Sequence, residues 1–156
     1  MTDVKLREAR KADVEALVAL VERLKRLNEE FDPLFRVRGD ARERTRRYLE
    51  NGVERPDKFI LVAEDAGMII GMLKAEIRER IFYEPASEGA IIEFYLMPEH
   101  RHGGLGRKMI EEATKRLKER GIQLITAEFP SMNKISASFY ERLGYRAILS
   151  IYGKAL

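Results

Sequence analysis

The spacing of apolar residues predicts two helices in the first third of the chain. From about residue 13 to 30, apolar side chains recur every three or four positions, the period of an amphipathic helix, and Asp13 stands where a carboxylate favours a helix N-terminus. A charged helix should follow over about 40 to 51. A short strand is expected at Val4 to Arg7. The loop Phe31 to Phe35 is more apolar than solvent exposure favours, so we expect it to cover part of the molecule.

In the rest of the chain, segments whose apolar residues have helical spacing alternate with apolar, β-branched runs typical of strands. The segment 65–67 (Asp-Ala-Gly) lies between the first two runs and is a hairpin signal. Pro98 closes the third run, and Gly121 and Gly144 are typical helix stops. The predicted strands are Lys58 to Glu64, Met68 to Ile77, Ala90 to Met97 (opened by 87–89), Ile122 to Phe129 and one or two over Tyr145 to Gly153; the helices run from Leu105 to Gly121 and from about Asn133 to Leu143.

This order of elements predicts an α/β fold, in which a mixed central sheet carries helices on both faces. The strands on either side of the helix that begins at Leu105 should be parallel neighbours, because a helical crossover joins parallel strands. Ligands bind such sheets at the carboxyl ends of the strands, which points to residues 99–106. A length of 156 residues suits one domain that spans 1–156.

The composition excludes several kinds of protein and of chemistry. Cysteine is absent, which excludes disulfides, thiolate nucleophiles and cysteine-based metal sites. No apolar run approaches the roughly 18 residues that span a bilayer, and the first residues lack an apolar signal region, so we expect a cytoplasmic protein with no membrane partner. Charged residues make up 35% of the chain, dominated by Glu and Arg, and amides are few, as in proteins from thermophiles.

Six arginines between Arg36 and Arg47 raise the question of nucleic-acid binding. Asp40 and Glu43 are interleaved with these arginines, aromatic interleaving is limited to Tyr48, and the net charge of the chain is only +3. A solvated helix face is therefore the preferred interpretation, and nucleic acid is not an expected partner.

The segment 101–108 (RHGGLGRK) is the first candidate for chemistry. Its glycines let the backbone approach a bound group closely, and the free amide hydrogens at the start of the following helix favour phosphate. The spacing fits no P-loop, and a dinucleotide fold would need glycine where the chain has Met109. A flexible loop with a basic helix start is the structural alternative.

The second candidate is the helix that begins at Asn133. At 3.6 residues per turn, Asn133, Ser136, Ala137 and Tyr140 share one face, and the opposite face is apolar, so one face can pack while the other lines a cleft. Two structural alternatives stay open. Asn133 can serve as a helix N-cap, and Tyr140 can be a core tyrosine with a satisfied hydroxyl.

Together these motifs resemble the GNAT superfamily of acyl-CoA N-acyltransferases. RHGGLG at 101–106 is similar to its acetyl-CoA pyrophosphate signature, and NKISASFYERLGY at 133–145 is similar to its downstream motif, with Ser136 in place of the commoner alanine. The resemblance is strong over 60–153 and implies a GNAT-like mixed sheet of about six to seven strands. It implies acetyl-CoA as co-substrate, no metal, and a primary amine on a small molecule or peptide as acceptor. The implied cofactor-binding residues are Leu96, Met97, Arg101, His102, Gly103, Gly104, Leu105, Gly106, Arg107, Asn133, Ser136 and Tyr140.

The chemistry of acyl transfer assigns roles to a few of these residues. Without cysteine no acetyl-thioenzyme can form, so the amine must attack the thioester directly in a ternary complex. Tyr140, with an ordinary pKa of about 10, is matched to protonate the departing thiolate. The resemblance places a backbone amide that binds the oxyanion near Leu96 or Met97.

The attacking amine must also lose a proton, which calls for a carboxylate. Glu93 is the candidate base because it interrupts an apolar strand, where a buried carboxylate is costly unless it faces a polar cleft or a partner. A structural ion pair, for example with Arg78, is the alternative interpretation of Glu93. Glu128 on the neighbouring strand, or a chain of waters, is the fallback base.

The identity of the acceptor stays open. We expect the loop Phe31 to Phe35 and the connection 78–88 to select the amine, and several glutamates of that region and of the adjoining strand would favour a cationic one if they face the cleft. A regulatory module that binds acyl-CoA without turnover is the alternative function, but it would not need Tyr140. The resemblance also allows a homodimer.

Overall fold

A mixed sheet of five strands forms the centre of the protein, whose computed structural model describes residues 3–156. The strand order is that of the chain, and neighbours are antiparallel except for the last two strands, which are parallel. The strands are β1 (Lys5–Glu8), β2 (Lys58–Asp65), β3 (Met68–Glu79), β4 (Ser87–Leu96) and β5 (Ile125–Ala127). The α-helices are α1 (Val14–Glu29), α2 (Ala41–Glu50), α3 (Leu105–Glu119) and α4 (Lys134–Arg142).

Helices cover both faces of the sheet, which confirms the predicted α/β architecture and the parallel pairing across α3. Along β2, Ile60 and Val62 join a core with α1 and α2, whereas Leu61 and Ala63 join a second core with α3 and α4. This alternation is the period of two expected of a strand buried on both faces. It fixes the register, because a slip by one residue would exchange the two cores.

The expectation of six to seven strands is wrong, since residues 3–156 form five. The predicted strand or strands over Tyr145 to Gly153 are not formed, and the predicted strand Ile122 to Phe129 is reduced to the three residues of β5. The sequence of 145–153 has the composition of a strand, but a strand needs a neighbour for its backbone N–H and C=O groups. None lies beside it among residues 3–156.

The arginine-rich segment is a solvated, ion-paired surface, as predicted. Five of its six arginines pair with nearby carboxylates; for example, Arg42 Nη1 lies 3.0 Å from Glu22 of α1, and Arg46 Nε lies 2.6 Å from Glu15. The pairs of Arg42 and Arg46 dock α2 on α1, and all five neutralise charge that a phosphate backbone would need. Among the described residues, no helix is long and apolar enough to cross a membrane.

Arg7 connects β1 to the start of α1. Its Nη1 and Nη2 atoms donate to the two carboxylate oxygens of Asp13 at 2.8 and 3.0 Å, and the Arg10 backbone amide donates to Asp13 at 2.7 Å. Both side chains are largely buried. The hydrogen bonds from Arg7 hold the pKa of Asp13 below its usual range.

We expect Asp13→Asn to lower the free energy of unfolding at neutral pH by about 2 kcal/mol, because it removes the closer and more buried of the two carboxylates that pair with the largely buried Arg7 guanidinium; the other is Glu64, 3.2 Å from Arg7 Nε. A lowered carboxylate pKa stabilises the fold above a pH of about 4, and this contribution is lost as the pH falls through the pKa of the folded state. The difference between variant and wild type should therefore shrink in acid. Urea denaturation between pH 3 and 7 measures it, with Asp57→Asn as control.

Asp57 is a suitable control because it also pairs with an arginine, Arg55, at 3.3 Å, but both side chains are more than half exposed. An exposed ion pair contributes little to stability. Equal losses in the two variants, or a loss in Asp13→Asn that does not change with pH, would contradict the role given to the Arg7–Asp13 pair.

Candidate functional site

The strands β4 and β5 separate towards their carboxyl ends. They pair over three positions only, the last of which is Ile91 opposite Ala127. One more backbone bond joins the Glu128 amide to the Ile91 carbonyl at 2.9 Å. β4 then continues to Leu96 with β3 as its one strand partner in the described chain. The outer backbone edge of residues 92–96 is therefore available to a ligand.

A β-bulge marks the point of separation. Lys74 of β3 lies opposite Glu93, whereas the next residue, Ala75, lies opposite Ile91. Ile92 is thus an extra residue in β4. A bulge bends the strand and leaves one residue out of the ladder, and such features are common next to active sites.

The backbone at the end of β4 distinguishes between the two amides proposed for the oxyanion. The Met97 amide donates to the Ile70 carbonyl at 2.9 Å, so it is already engaged with β3. Leu96 lies opposite Gly71 in the adjacent, non-hydrogen-bonded position of the ladder, where the N–H and C=O groups face away from the partner strand. Consistent with this orientation, the Leu96 carbonyl accepts a hydrogen bond from the Arg101 side chain and not from β3. Of the two candidate amides, that of Leu96 is therefore the one not engaged with β3.

The glycine-rich loop is tied to the end of β4 by Arg101. Its Nε donates to the Leu96 carbonyl at 2.9 Å, and its guanidinium lies 5.1 Å from the centre of the Tyr95 ring. His102 in the same loop is exposed. Arg101 therefore ties the loop to the end of β4, and its assignment to the cofactor stays a prediction.

The start of α3 is free of side chains that would compete with an anion. Gly103 and Gly104 have φ values of 99° and 82°, a region that favours glycine, and a Cβ at either position would meet nothing within 4 Å. Gly104 caps α3 without a side-chain hydrogen bond, and the first turn has no acidic residue. Leu105 is half-buried there, and Arg107 is exposed and pairs with Glu111 at 2.9 Å. The amides of this first turn are oriented as in phosphate-binding helices.

Gly106 has a different role from the two glycines before it. It is buried, and a Cβ there would lie 3.5 Å from Leu96 Cδ1 and from the ring of Phe139. These are ordinary van der Waals distances, so Gly106 lies where the start of α3 packs on β4 and α4. Its assignment to the cofactor stays a prediction.

Asn133 is the N-cap of α4, as its structural alternative predicted. Its Oδ1 accepts a bond from the Ser136 amide at 3.0 Å, and its own amide donates to the Pro130 carbonyl at 2.9 Å. Asn133 is buried and Ser136 is half-buried. The cap fixes where α4 begins and hence the direction in which Tyr140, two turns later, projects.

Tyr140 lies in an aromatic cluster on the α3 and α4 side of the sheet. Its ring is stacked on Phe129 with centroids 5.5 Å apart and meets Tyr145 edge-on at 5.1 Å. Burial raises the pKa of the Tyr140 hydroxyl. Among residues 3–156, every fully buried side-chain oxygen or nitrogen has a hydrogen-bond partner. The Tyr140 hydroxyl makes no hydrogen bond to these residues, so its oxygen must be accessible to solvent.

Glu93 is ion-paired, but not with the predicted partner. Its two carboxylate oxygens lie 2.8 and 2.7 Å from Lys25 Nζ of α1, and its side chain is 8% exposed. Arg78 instead pairs with Glu128 at 2.7 Å. Because α1 covers the opposite face from α4, Glu93 and Tyr140 lie on different sides of the sheet. Glu93 stands in the part of β4 that is no longer paired with β5.

The sequence analysis did not assign a role near Glu93 to two residues, Lys74 and Tyr48. Lys74 is fully buried directly across from Glu93, with its Nζ 4.3 Å above the Tyr48 ring and 3.2 Å from Glu76 Oε1. Burial lowers the pKa of Lys74, and burial with the charges of Glu93 and Glu76 raises that of Tyr48. Lys74 was detectable because it interrupts an apolar strand just as Glu93 does.

The sequence matches a known protein family over most of its length. Residues 22–145 match the sequence model of the Acetyltransferase (GNAT) family. No curated protein matches the chain.

Several solved structures have the same fold at low sequence identity. The aminoglycoside N-acetyltransferase AAC(6')-Iy in complex with CoA is 15% identical with a TM-score of 0.80, covering 100% of this chain and 96% of its own. A predicted acetyltransferase with acetyl-CoA from Clostridium acetobutylicum is 18% identical with a TM-score of 0.80, covering 98% and 96%. A GCN5-related N-acetyltransferase from Ralstonia eutropha is 18% identical with a TM-score of 0.81, covering 98% and 99%.

Proposed function

The chain belongs to the GNAT family of acetyltransferases, and on that premise we propose that it transfers an acetyl group from acetyl-CoA to a primary amine by direct attack in a ternary complex. The observation that carries the proposal lies at the carboxyl end of β4. There β4 separates from β5, and Arg101 ties this strand end to the glycine-rich loop. Two proteins of the same fold were solved with CoA or acetyl-CoA, which supports this co-substrate. The whole activity is assigned to one domain, 1–156.

The first turn of α3 fits the pyrophosphate of CoA. Its amides have no side-chain cap, and the space over Gly103 and Gly104 is open. Arg107 and His102 add polar groups beside it. The pantetheine arm would follow the outer edge of residues 92–96, whose amide and carbonyl groups can bind its peptide-like units. Asn133 and Ser136 would border this arm from the start of α4.

Tyr140 acts as hydrogen-bond donor to the leaving sulfur. A raised pKa keeps its hydroxyl protonated across the physiological pH range. Complete proton transfer to a thiolate, whose ordinary pKa is about 8.5, is unfavourable for such a weak acid. Donation of a hydrogen bond is sufficient, because it stabilises the charge that develops on sulfur as the bond to the acetyl carbon breaks. The Leu96 amide would bind the oxyanion.

Glu93 is the proposed acceptor of the amine proton. Its carboxylate is held by Lys25 alone among charged side chains within 4 Å in the described structure, and an incoming alkylammonium carries the same charge as Lys25. The substrate can therefore replace Lys25 at Glu93, which binds the ammonium form first and then receives its proton. The acceptor that suits this exchange is a cationic amine of a small molecule or peptide.

We expect Glu93→Gln to lower kcat/KM by about 10- to 100-fold, because the amide keeps the volume of the carboxylate but cannot take a proton. Steady-state rates with a fixed amine measure the loss. Glu128→Gln is the matched control, since Glu128 is also ion-paired but is about half exposed. A larger loss in Glu128→Gln would transfer the role to Glu128.

The proposed function is tested by acetyl transfer to a panel of amines. Because the chain has no cysteine, CoA release can be followed with a thiol reagent without background from the protein. We expect amine-dependent CoA release with an acetylated product in mass spectrometry. Binding of acetyl-CoA without release for any amine would favour the alternative, a regulatory module that binds acyl-CoA without turnover.

A further inference from the structure

Lys25 holds a primary amine of this chain where the proposed function needs the amine of a substrate. Its Nζ donates to the two carboxylate oxygens of Glu93 at 2.8 and 2.7 Å. Glu93 is the proposed acceptor of the substrate's proton, and it stands beyond Ile91, where β4 has no strand on its outer edge among residues 3–156. The ammonium group of Lys25 therefore already contacts the carboxylate that would deprotonate a substrate.

The helix α1 directs Lys25 towards the sheet. Val18 and Val21 of α1 are buried, and Lys25 follows them by seven and four positions, so it shares their face of the helix. An apolar residue would suit this position, but the chain has a lysine that meets a carboxylate. The side chain of Lys25 is 40% exposed, whereas that of Glu93 is 8% exposed. Lys25 is thus accessible from solvent while its Nζ stays at Glu93.

The other lysines of the described chain lack this combination. Within residues 3–156, Lys25 and Lys74 are the lysines that form ion pairs. Lys74 is fully buried and pairs with Glu76 at 3.2 Å, so a thioester has no access to its amine. Lysines such as Lys115 on α3 are exposed but have no carboxylate within 4 Å in the described structure. Only at Lys25 does an accessible amine contact a largely buried carboxylate.

We propose that the protein acetylates its own Lys25, an inference that rests on the proposed function because acetyl-CoA supplies the acetyl group. The bond that forms joins Nζ to the carbonyl carbon of the thioester, and the bond that breaks is the one from that carbon to sulfur. Nζ first loses a proton to Glu93, which passes it to water, and then attacks. The second proton leaves Nζ as the amide forms and neutralises the CoA thiolate. The products are Nε-acetyl-lysine and free CoA.

Acetylation of Lys25 changes the charge around Glu93. The amide that replaces the ammonium group is neutral, so the ion pair is lost. Lys25 is the one cationic group within 4 Å of Glu93 among the described residues, and a largely buried carboxylate without a charged partner is unfavourable. A cationic amine that enters the site restores a partner to Glu93. Self-acetylation therefore occurs once per chain and frees the acceptor position for a substrate.

Labelling of the purified protein tests the proposal. The chain is incubated without amine in acetyl-CoA whose acetyl group carries deuterium, which distinguishes new acetylation from any acquired during expression, and peptide mass spectrometry locates the label. We expect Lys25 to be labelled at least about 100-fold faster than Lys115, because its amine is held at the base. The rate per chain should not depend on protein concentration. Equal rates at the two lysines, or a rate per chain that rises in proportion to protein concentration, would overturn the proposal.

Variants distinguish an enzymatic step from slow chemical acetylation by acetyl-CoA. Glu93→Gln should slow the labelling of Lys25 by about 10- to 100-fold and leave that of Lys115 unchanged. Lys25→Arg should remove the label, because a guanidinium keeps the positive charge but is not a nucleophile. Tyr140→Phe should also slow the labelling of Lys25, and it is the second variant if thermal unfolding shows that Glu93→Gln is not folded. A label at Lys25 that these variants leave unchanged would contradict self-acetylation.

The panel of amines separates failure of this inference from failure of the proposed function. A protein that acetylates an added amine but leaves Lys25 unlabelled would overturn self-acetylation alone. A protein that binds acetyl-CoA but acetylates neither an added amine nor Lys25 would overturn both. Label at Lys25 that depends on Glu93 supports both, since it shows transfer from acetyl-CoA to a primary amine at this site.

Discussion

Tyr140→Phe is expected to lower kcat by about 100- to 10,000-fold, the usual contribution of a positioned proton or hydrogen-bond donor. The phenyl ring keeps the stacking on Phe129 and the edge contacts in the aromatic cluster, so the fold and the Kd of acetyl-CoA should change little. Because burial raises the pKa of Tyr140, its ionisation should not limit the wild-type rate below a pH of about 10. Steady-state kinetics with a fixed amine measure the loss.

Tyr145→Phe is the matched control for this prediction. It removes the hydroxyl of a neighbouring tyrosine whose ring centre lies 5.1 Å from the ring centre of Tyr140. Both rings belong to the same aromatic cluster. We expect its kcat to stay within about threefold of wild type, as for a change outside the reacting groups. Equal losses in both variants would mean that packing, not the Tyr140 hydroxyl, supports catalysis.

Gly104→Glu is expected to raise the Kd of acetyl-CoA by at least about 100-fold, because it places a carboxylate where the pyrophosphate would lie and like charges in a shared site repel strongly. The backbone at Gly104 has a φ of 82°, so any side chain there also costs about 1 kcal/mol of stability. Calorimetric titration measures the loss of binding, and thermal unfolding measures the loss of stability.

The other end of the same helix supplies the control that separates these two effects. Gly121 follows α3, has the same φ of 82°, and is likewise open to solvent. Gly121→Glu should therefore suffer a similar loss of stability but bind acetyl-CoA as the wild type does. A comparable loss of binding in both variants would show that strain in α3, and not charge at its N-terminus, is responsible.

Local patterns were sufficient to predict most of the fold. The apolar stripe of α1, the hairpin signal at 65–67 and the closure of β4 by Pro98 each reflect constraints within a few residues. Such constraints act whatever surrounds them, so α1 and β2 to β4 are found within a few residues of the predicted bounds. The glycine-rich loop at 101–106 was placed for the same reason: a strand, a Pro and a helix start fix it locally.

What the sequence did not predict depends on contacts between distant residues. Lys25 and Glu93 are 68 positions apart, and their pairing follows from how α1 is rotated on the sheet, which no local pattern specifies. The strand predicted over residues 145–153 is wrong for the same reason, because a strand needs a paired neighbour and none lies beside these residues within 3–156. The bulge at Ile92, which lies where β4 and β5 stop pairing, likewise depends on the register between β3 and β4.

Calorimetric titration of the wild-type protein with acetyl-CoA tests the central claim most directly. The proposed function predicts one site per chain with a Kd between about 1 µM and 1 mM, the range in which enzymes commonly bind their substrates. A folded protein that binds neither acetyl-CoA nor another acyl-CoA at millimolar concentration would contradict the claim that the glycine-rich start of α3 and the cleft between β4 and β5 form a cofactor site.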